Sequence, residues 1–186
     1  MNQLVIGVDA YMIHDTFNDF YTGQIAEFAI EAMTEDEEII SGESLKTIKP
    51  LELALYEFDA EVSYLNKNYG VIDFGIKATT RLDVGTPIGT RIQGQTTLFT
   101  DWEYPPSKNS YPDFPPMIYT WKIWSIYIQT GPYIVTYNSV GGKSIRRDET
   151  KIGYQPVERT NAWEDDDKNA FYLLNCTLLD INPKEL

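Results

Sequence analysis

"ALYEFDAEVSY", residues 54–64, alternates with a period of two: Tyr56, Phe58, Ala60, Val62 and Tyr64 fall on one face, Glu57, Asp59 and Glu61 on the other. Successive side chains of a β-strand point to opposite sides, so this is a strand with one face in a core and one in water. "NKNYG", residues 66–70, supplies Asn and Gly for a turn. "VIDFGIKATTRLDV", residues 71–84, reads as the returning strand, with Ile72, Phe74, Ile76, Ala78, Leu82 and Val84 inward and Asp73, Lys77 and Arg81 outward. After the turn "DVGTP", the stretch "IGTRIQGQTTLF", residues 88–99, puts Ile88, Ile92 and Leu98 inside and Arg91, Gln93 and Gln95 outside. Three matched alternations in succession predict an antiparallel meander. Its outer acids Glu57, Asp59 and Glu61 are expected opposite Lys77 and Arg81, where cross-strand pairs stabilise by roughly 0.2–1 kcal/mol each.

Beyond the meander, residues 103–116, "EYPPSKNSYPDFPP", hold five of the ten prolines and cannot continue a ladder, because proline lacks the N–H donor. A connection of that length carrying Tyr104, Tyr111 and Phe114 reads as a lid or a contact surface. Next comes "YTWKIWSIYI", residues 119–128, whose β-branched and aromatic content favours a strand. Tyr119, Trp121, Ile123 and Tyr127 would share one face, and Lys122, Trp124, Ile126 and Ile128 the other, so the strand reads as apolar on both sides. "PYIVTYN", "SIRRDETKIGY" and "FYLLNCTLLDI" complete a mainly β chain of about seven to eight strands, closing into a small barrel or sandwich.

Towards the start, "QLVIGVDAYMI" reads as a short strand. Phe17, Phe20, Tyr21, Phe28 and Ala32 recur at helical spacing, predicting one N-terminal helix over residues 17–33, capped by Asp15 or Thr16. Glu35 to Glu38 lie badly for the dipole at the end of that helix and are expected in a loop. A single domain follows, with residues 1–50 an acidic strand-helix-loop lead-in and residues 51–186 the barrel or sandwich.

With 186 residues, 42% of them hydrophobic and 13% aromatic, the chain can build a core. Its net charge of −13 is uneven: residues 1–60 set thirteen Asp or Glu against Lys46 and Lys49, a local net of −11. Such a field repels phosphate backbones and anionic lipid, arguing against nucleic-acid or membrane partners, and favours a basic protein partner. The start has no basic stretch before an apolar run, and Asp9 interrupts the run, so neither a secretory signal nor a spanning helix is predicted and a cytoplasmic location is expected. Cys176, the lone cysteine, sits in "FYLLNCTLL" and reads as a buried, inert thiol.

No motif names a reaction. One histidine and one cysteine do not make a zinc set, and "WEDDDK", residues 163–168, lacks the spacing of a calcium loop, so neither metal nor cofactor is expected. "GGKS", residues 141–144, lacks the earlier glycine of a phosphate loop and reads as a hairpin turn. His14, with Asp9 and Tyr11 near it in sequence, is the candidate for acid-base chemistry.

Two functions emerge. In the first, Trp121, Trp124, Tyr127 and Tyr119 wall a pocket lidded by Tyr104 and Phe114, and the barrel binds a small, largely apolar molecule, isomerising or cyclising it by positioning. In the second, the chain is a non-enzymatic acidic interaction protein, such as an inhibitor, immunity factor or component of a larger assembly like a virion. Its partner is then a basic protein or a further copy in a homo-oligomer.

Overall fold

A computed structural model describes residues 3–67, 69–82, 85–101, 113–137, 142–165 and 169–184. In chain order the elements are β1 (Gln3–Asp9), α1 (Ala10–Thr16), β2 (Ile25–Phe28), β3 (Ile30–Ile40), β4 (Thr47–Pro50), β5 (Leu55–Leu65), β6 (Gly70–Asp73) and β7 (Lys77–Thr80). They continue with β8 (Arg91–Thr100), β9 (Ile118–Thr130), β10 (Tyr133–Tyr137), β11 (Lys143–Arg147), β12 (Gly153–Val157) and β13 (Phe171–Lys184). The expected mainly β architecture is present.

The alternation over residues 54–64 does form a strand, and it is the pivot of the barrel. β5 pairs antiparallel with β6 on one side and β8 on the other; β6 pairs with β7, and β8 pairs with β3. A single parallel bridge, Glu31 to Thr79, joins β3 to β7 and closes a ring of five strands. Phe58, Val62, Ile72, Ile92 and Leu98 fill its interior at 2% exposure or less. Val84 lies outside the described residues, and Ile88, expected inside, is exposed.

Residues 71–84 are not one strand. Asp73 Oδ1 accepts a hydrogen bond from the Gly75 N–H at 3.0 Å, and Gly75 adopts φ +101, so the chain turns back between β6 and β7. Phe74 and Ile76 stay buried in that turn, which is why the alternation runs through it unbroken. The turn also removes Lys77 from the side of β5. Glu61 instead faces Asp73, and Lys46 bridges both carboxylates at 3.2 and 2.9 Å; Asp59 pairs with Arg91.

Nor are residues 17–33 helical. The helix is α1, earlier in the chain, and Gly23 at φ +89 turns the backbone into β2, which pairs with β9. Phe17, Phe20 and Phe28 meet at ring separations of 5.7 to 6.4 Å, so the aromatic spacing that mimics a helix reflects one cluster gathered from a loop and a strand. The acidic run Glu35–Glu38 likewise belongs to β3 rather than to a loop.

β1 continues the sheet from β8 through one parallel bridge, Gly7 to Phe99, and leads to β13, β9 and β12. A Cβ at Gly7 would meet the Phe171 ring at 2.8 Å and Phe99 at 3.0 Å, so glycine permits the junction. One hydrophobic cluster runs from the barrel interior to the buried side chains of β1, β9 and β13, and polar atoms stitch the two parts. The Tyr56 hydroxyl accepts from the Val5 N–H at 2.6 Å, and the Tyr119 hydroxyl accepts from the Lys77 N–H at 2.7 Å. Among the described residues, no helix is long and apolar enough to cross a membrane.

Candidate functional site

The aromatic strand β9 separates the proposed wall residues. Tyr119 and Trp121 are buried at 1% and 0%; Trp121 stacks on Phe28 with ring centroids 5.6 Å apart and donates from Nε1 to the Phe28 carbonyl at 3.1 Å. Their polar atoms are therefore used within the core. Against β13, Ser125 pairs with Asn175 and Ile123 with Cys176, so a bulge falls at Trp124. Ile126 is thereby returned to the buried face, while Trp124 is 53% exposed and donates to Thr177 Oγ1 at 2.8 Å. The strand is apolar on one side only. Tyr127 is half-buried, Phe114 packs edge-on to Tyr64 at 5.1 Å, and Tyr104 lies outside the described residues.

Asp9 and Tyr11 do share a cleft. It holds about 420 Å³ at the β3–β7 seam and is also lined by Met12, Glu31, Met33, Tyr69, Thr79, Thr80, Arg81, Phe99 and Asp101. A single bridge closes that seam, which leaves room beside it. Asp101 accepts from Thr79 Oγ1 at 2.7 Å. Burial pushes the Asp9 carboxyl above its ordinary range, because charge is poorly solvated there. His14 lies on α1, and its side chain is outside the described residues.

The most regular polar array is on the outer wall of the barrel. Strand register sets Glu35 opposite Gln95, Gln95 opposite Glu57 and Glu57 opposite Lys49. A second row runs Glu38, Gln93, Asp59, Thr47. Each row thus crosses four strands, with a glutamine amide between two carboxylates. At about 4.8 Å per strand, the acids of a row stand roughly 10 Å apart, far enough to limit repulsion across the glutamine. A cleft of about 360 Å³ runs along this face, lined by residues of both rows and by Asp36 and Leu45.

A β-bulge shapes the array. Between Glu35 and Glu38 the register slips, so that Asp36 and Glu37 oppose the single residue Gly94, and Asp36 takes φ +50. Such a backbone is strained for a residue with a side chain and persists only when its surroundings hold it. A Cβ at Gly94 would come within 3.0 Å of the Glu35 carbonyl and 3.1 Å of Glu37 Cα, so the bulge sits directly on glycine. Thr34 Oγ1 donates to the Glu37 carboxylate from three residues earlier in the same strand. Glu35, Asp36, Glu37 and Glu38 all remain exposed, beside Ile39 at 68% and Leu45 at 71%.

Asp59 is the exception in its row. Burial opposes its charge, yet donors from Arg91, Gln93, Ser44 and the Leu45 N–H outweigh burial and hold its carboxyl well below the usual carboxylate range. Sequence reading recognised Glu57, Gln93 and Gln95 as outward but missed their conjunction with Glu35 and Glu38, because that run reads as a loop. Among the described residues, no group of three or more His, Cys, Asp or Glu side chains is placed to hold a metal ion.

No protein-family model, curated protein or solved structure matches the chain. Fold and site together define a small β-barrel protein whose sheet continues through β1, β13, β9 and β12, with exposed Glu35, Asp36, Glu37, Glu38 and Glu57 on the barrel wall.

Proposed function

We propose that the chain is a non-enzymatic interaction protein whose acidic barrel wall receives the Lys and Arg side chains of a basic protein partner. The observation that carries this reading is the alignment of the exposed carboxylates Glu35 and Glu57 about Gln95, with exposed Glu38 beside Gln93 in the next row, held by the bulge over Gly94; Asp59, at the far side of that row, is already engaged by Arg91. Carboxylates spaced by amides accept several cationic side chains at once, and the exposed Leu45, which lines the same cleft, adds apolar contact. The test is titration with a lysine- and arginine-rich peptide in a salt series, comparing wild type with a Glu35→Gln, Glu38→Gln, Glu57→Gln variant. The variant should bind roughly tenfold or more weakly and lose most of its salt dependence. Equal affinity in both proteins would refute the reading.

A second reading, binding and isomerisation or cyclisation of a small, largely apolar molecule, draws on the cleft beside Asp9. There a desolvated carboxyl, raised above its ordinary range by burial, faces space bordered by Met12, Met33 and Phe99, the setting of a carboxylic acid that can exchange a proton with a bound molecule. Thermal shift of wild type and Asp9→Asn against small apolar amines discriminates it: stabilisation lost in the variant supports the cleft.

A further inference from the structure

Among the described residues, β10 and β11 pair only with each other, as a two-stranded ribbon apart from the main sheet. An isolated hairpin of this kind is marginally stable in water and gains from packing against something else. On β10, Tyr133, Val135 and Tyr137 lie on one face, at 40%, 44% and 71% exposure. The ribbon is also the positive part of an acidic chain: residues 133–147 contain Lys143, Arg146 and Arg147 and no acid. Arg147 lies over the Tyr133 ring at 4.6 Å, which carries one of those charges onto the aromatic face, and Arg146 is exposed.

The register sets Lys143 opposite Tyr137 and Arg147 opposite Tyr133, four residues apart along one strand, or about 13 Å at the rise of a β-strand. The acids on the barrel wall repeat on a similar scale, roughly 10 Å across a row. Exposed apolar groups accompany the charges on both surfaces: tyrosines and valine on the ribbon, Leu45 at the wall. The signs of the charges are complementary, and their spacings are of the same order.

We infer that the β10–β11 ribbon of one molecule docks on the acidic barrel wall of a second copy of this chain, an inference that rests on the wall being an interaction surface. The contact is heterologous, since each copy offers a ribbon to one neighbour and a wall to another, and repetition builds a ring or a filament. The overall charge of −13 opposes association at long range. With a Debye length of about 8 Å at physiological salt, that repulsion is largely screened while pairs in contact survive.

Sedimentation velocity on the full chain, from micromolar to millimolar concentration at physiological salt, tests this with two charge-reversed proteins. One carries Tyr137→Ser and Lys143→Glu, cross-strand partners on the aromatic face of the ribbon; the other carries Glu35→Lys and Glu57→Lys on the wall. Wild type should associate in steps, and each variant alone should associate roughly tenfold or more weakly. Their equimolar mixture should recover a one-to-one complex, because one intact ribbon then meets one intact wall. That recovery also shows that both variants are folded. A wild type that stays monomeric, or a mixture that forms no complex while wild type associates, overturns the inference. Binding of the lysine- and arginine-rich peptide by the ribbon variant separates the two failures: retained binding removes only the self-partner, and lost binding removes the wall as a surface.

Discussion

Arg91 on β8 grips Asp59 on β5 as a fork, with Nη2 2.5 Å from Oδ2 and Nε 3.1 Å from Oδ1. Asp59 points away from the barrel interior, yet it is only 5% exposed, with Ser44 and the Leu45 N–H bonded to it from the connection before β4. Arg91→Ala leaves a buried carboxylate without its cation and should destabilise by about 3 kcal/mol, read from the denaturant midpoint. The pH dependence has a definite sign. A carboxyl held below its ordinary range contributes fully above the unfolded value of about 3.9, and its contribution disappears as pH falls from there towards the lower folded value. Wild type should therefore lose stability below about pH 4 more steeply than Arg91→Ala.

Asp9 has the opposite sign. Its folded carboxyl is raised by burial, so in the window from about pH 3.9 up to the folded value the native state binds more protons and stability falls as pH rises. Asp9→Asn removes the charge that burial disfavours. The variant should melt higher than wild type at pH 7, with the difference closing at pH 3, where the acid is protonated in both states. A lower melting temperature at pH 7 would mean that the carboxylate has a stabilising partner.

Much of the barrel was legible because its strands are amphipathic: Phe58, Phe74 and Ile92 are buried as alternation requires. What escaped depends on contacts between distant residues. The turn at Gly75 keeps both Phe74 and Ile76 in the core, so the period of two gives no sign of it. The cluster of Phe17, Phe20 and Phe28 copies a helical repeat although the backbone between them bends at Gly23. Glu35–Glu38 looks like solvated loop because four adjacent acids lack any apolar alternation; only pairing with β8 across Gly94 makes it strand. The candidate wall was half visible, since Glu57, Gln93 and Gln95 read as outward, while the register that aligns them with Glu35 and Glu38 is tertiary information.

Trp121 and Trp124, three residues apart on one strand, should respond differently to the same substitution. Trp121→Ala empties a fully buried site stacked on Phe28 and should destabilise by about 3–5 kcal/mol. Trp124→Ala loses one hydrogen bond to Thr177 and a lysine packed over the ring at 5.6 Å, at a surface position, and should stay within about 1 kcal/mol. Urea unfolding of the two variants checks the contrast. Equal losses would mean that the bulge does not turn Trp124 outward.

Gly94 shapes the proposed recognition surface without bearing charge. Its hypothetical Cβ meets main-chain atoms of Glu35 and Glu37 at 3.0 and 3.1 Å, and main chain has no rotamer by which to give way. In Gly94→Val the bulge must lift, shifting Glu35 and Glu38 against Gln95 and Gln93, at an expected loss of about 1–3 kcal/mol from overpacking. Gly85→Ala is the control: nothing lies within 4 Å of its added carbon, and stability should change by less than about 0.5 kcal/mol. The decisive readout is affinity for the lysine- and arginine-rich peptide, because neither replacement alters a charge. If spacing of the carboxylates governs recognition, Gly94→Val should weaken binding while still folded, and Gly85→Ala should not. If total charge alone governs it, both variants will bind as wild type does, and the rows across β3, β8 and β5 will have no part in recognition.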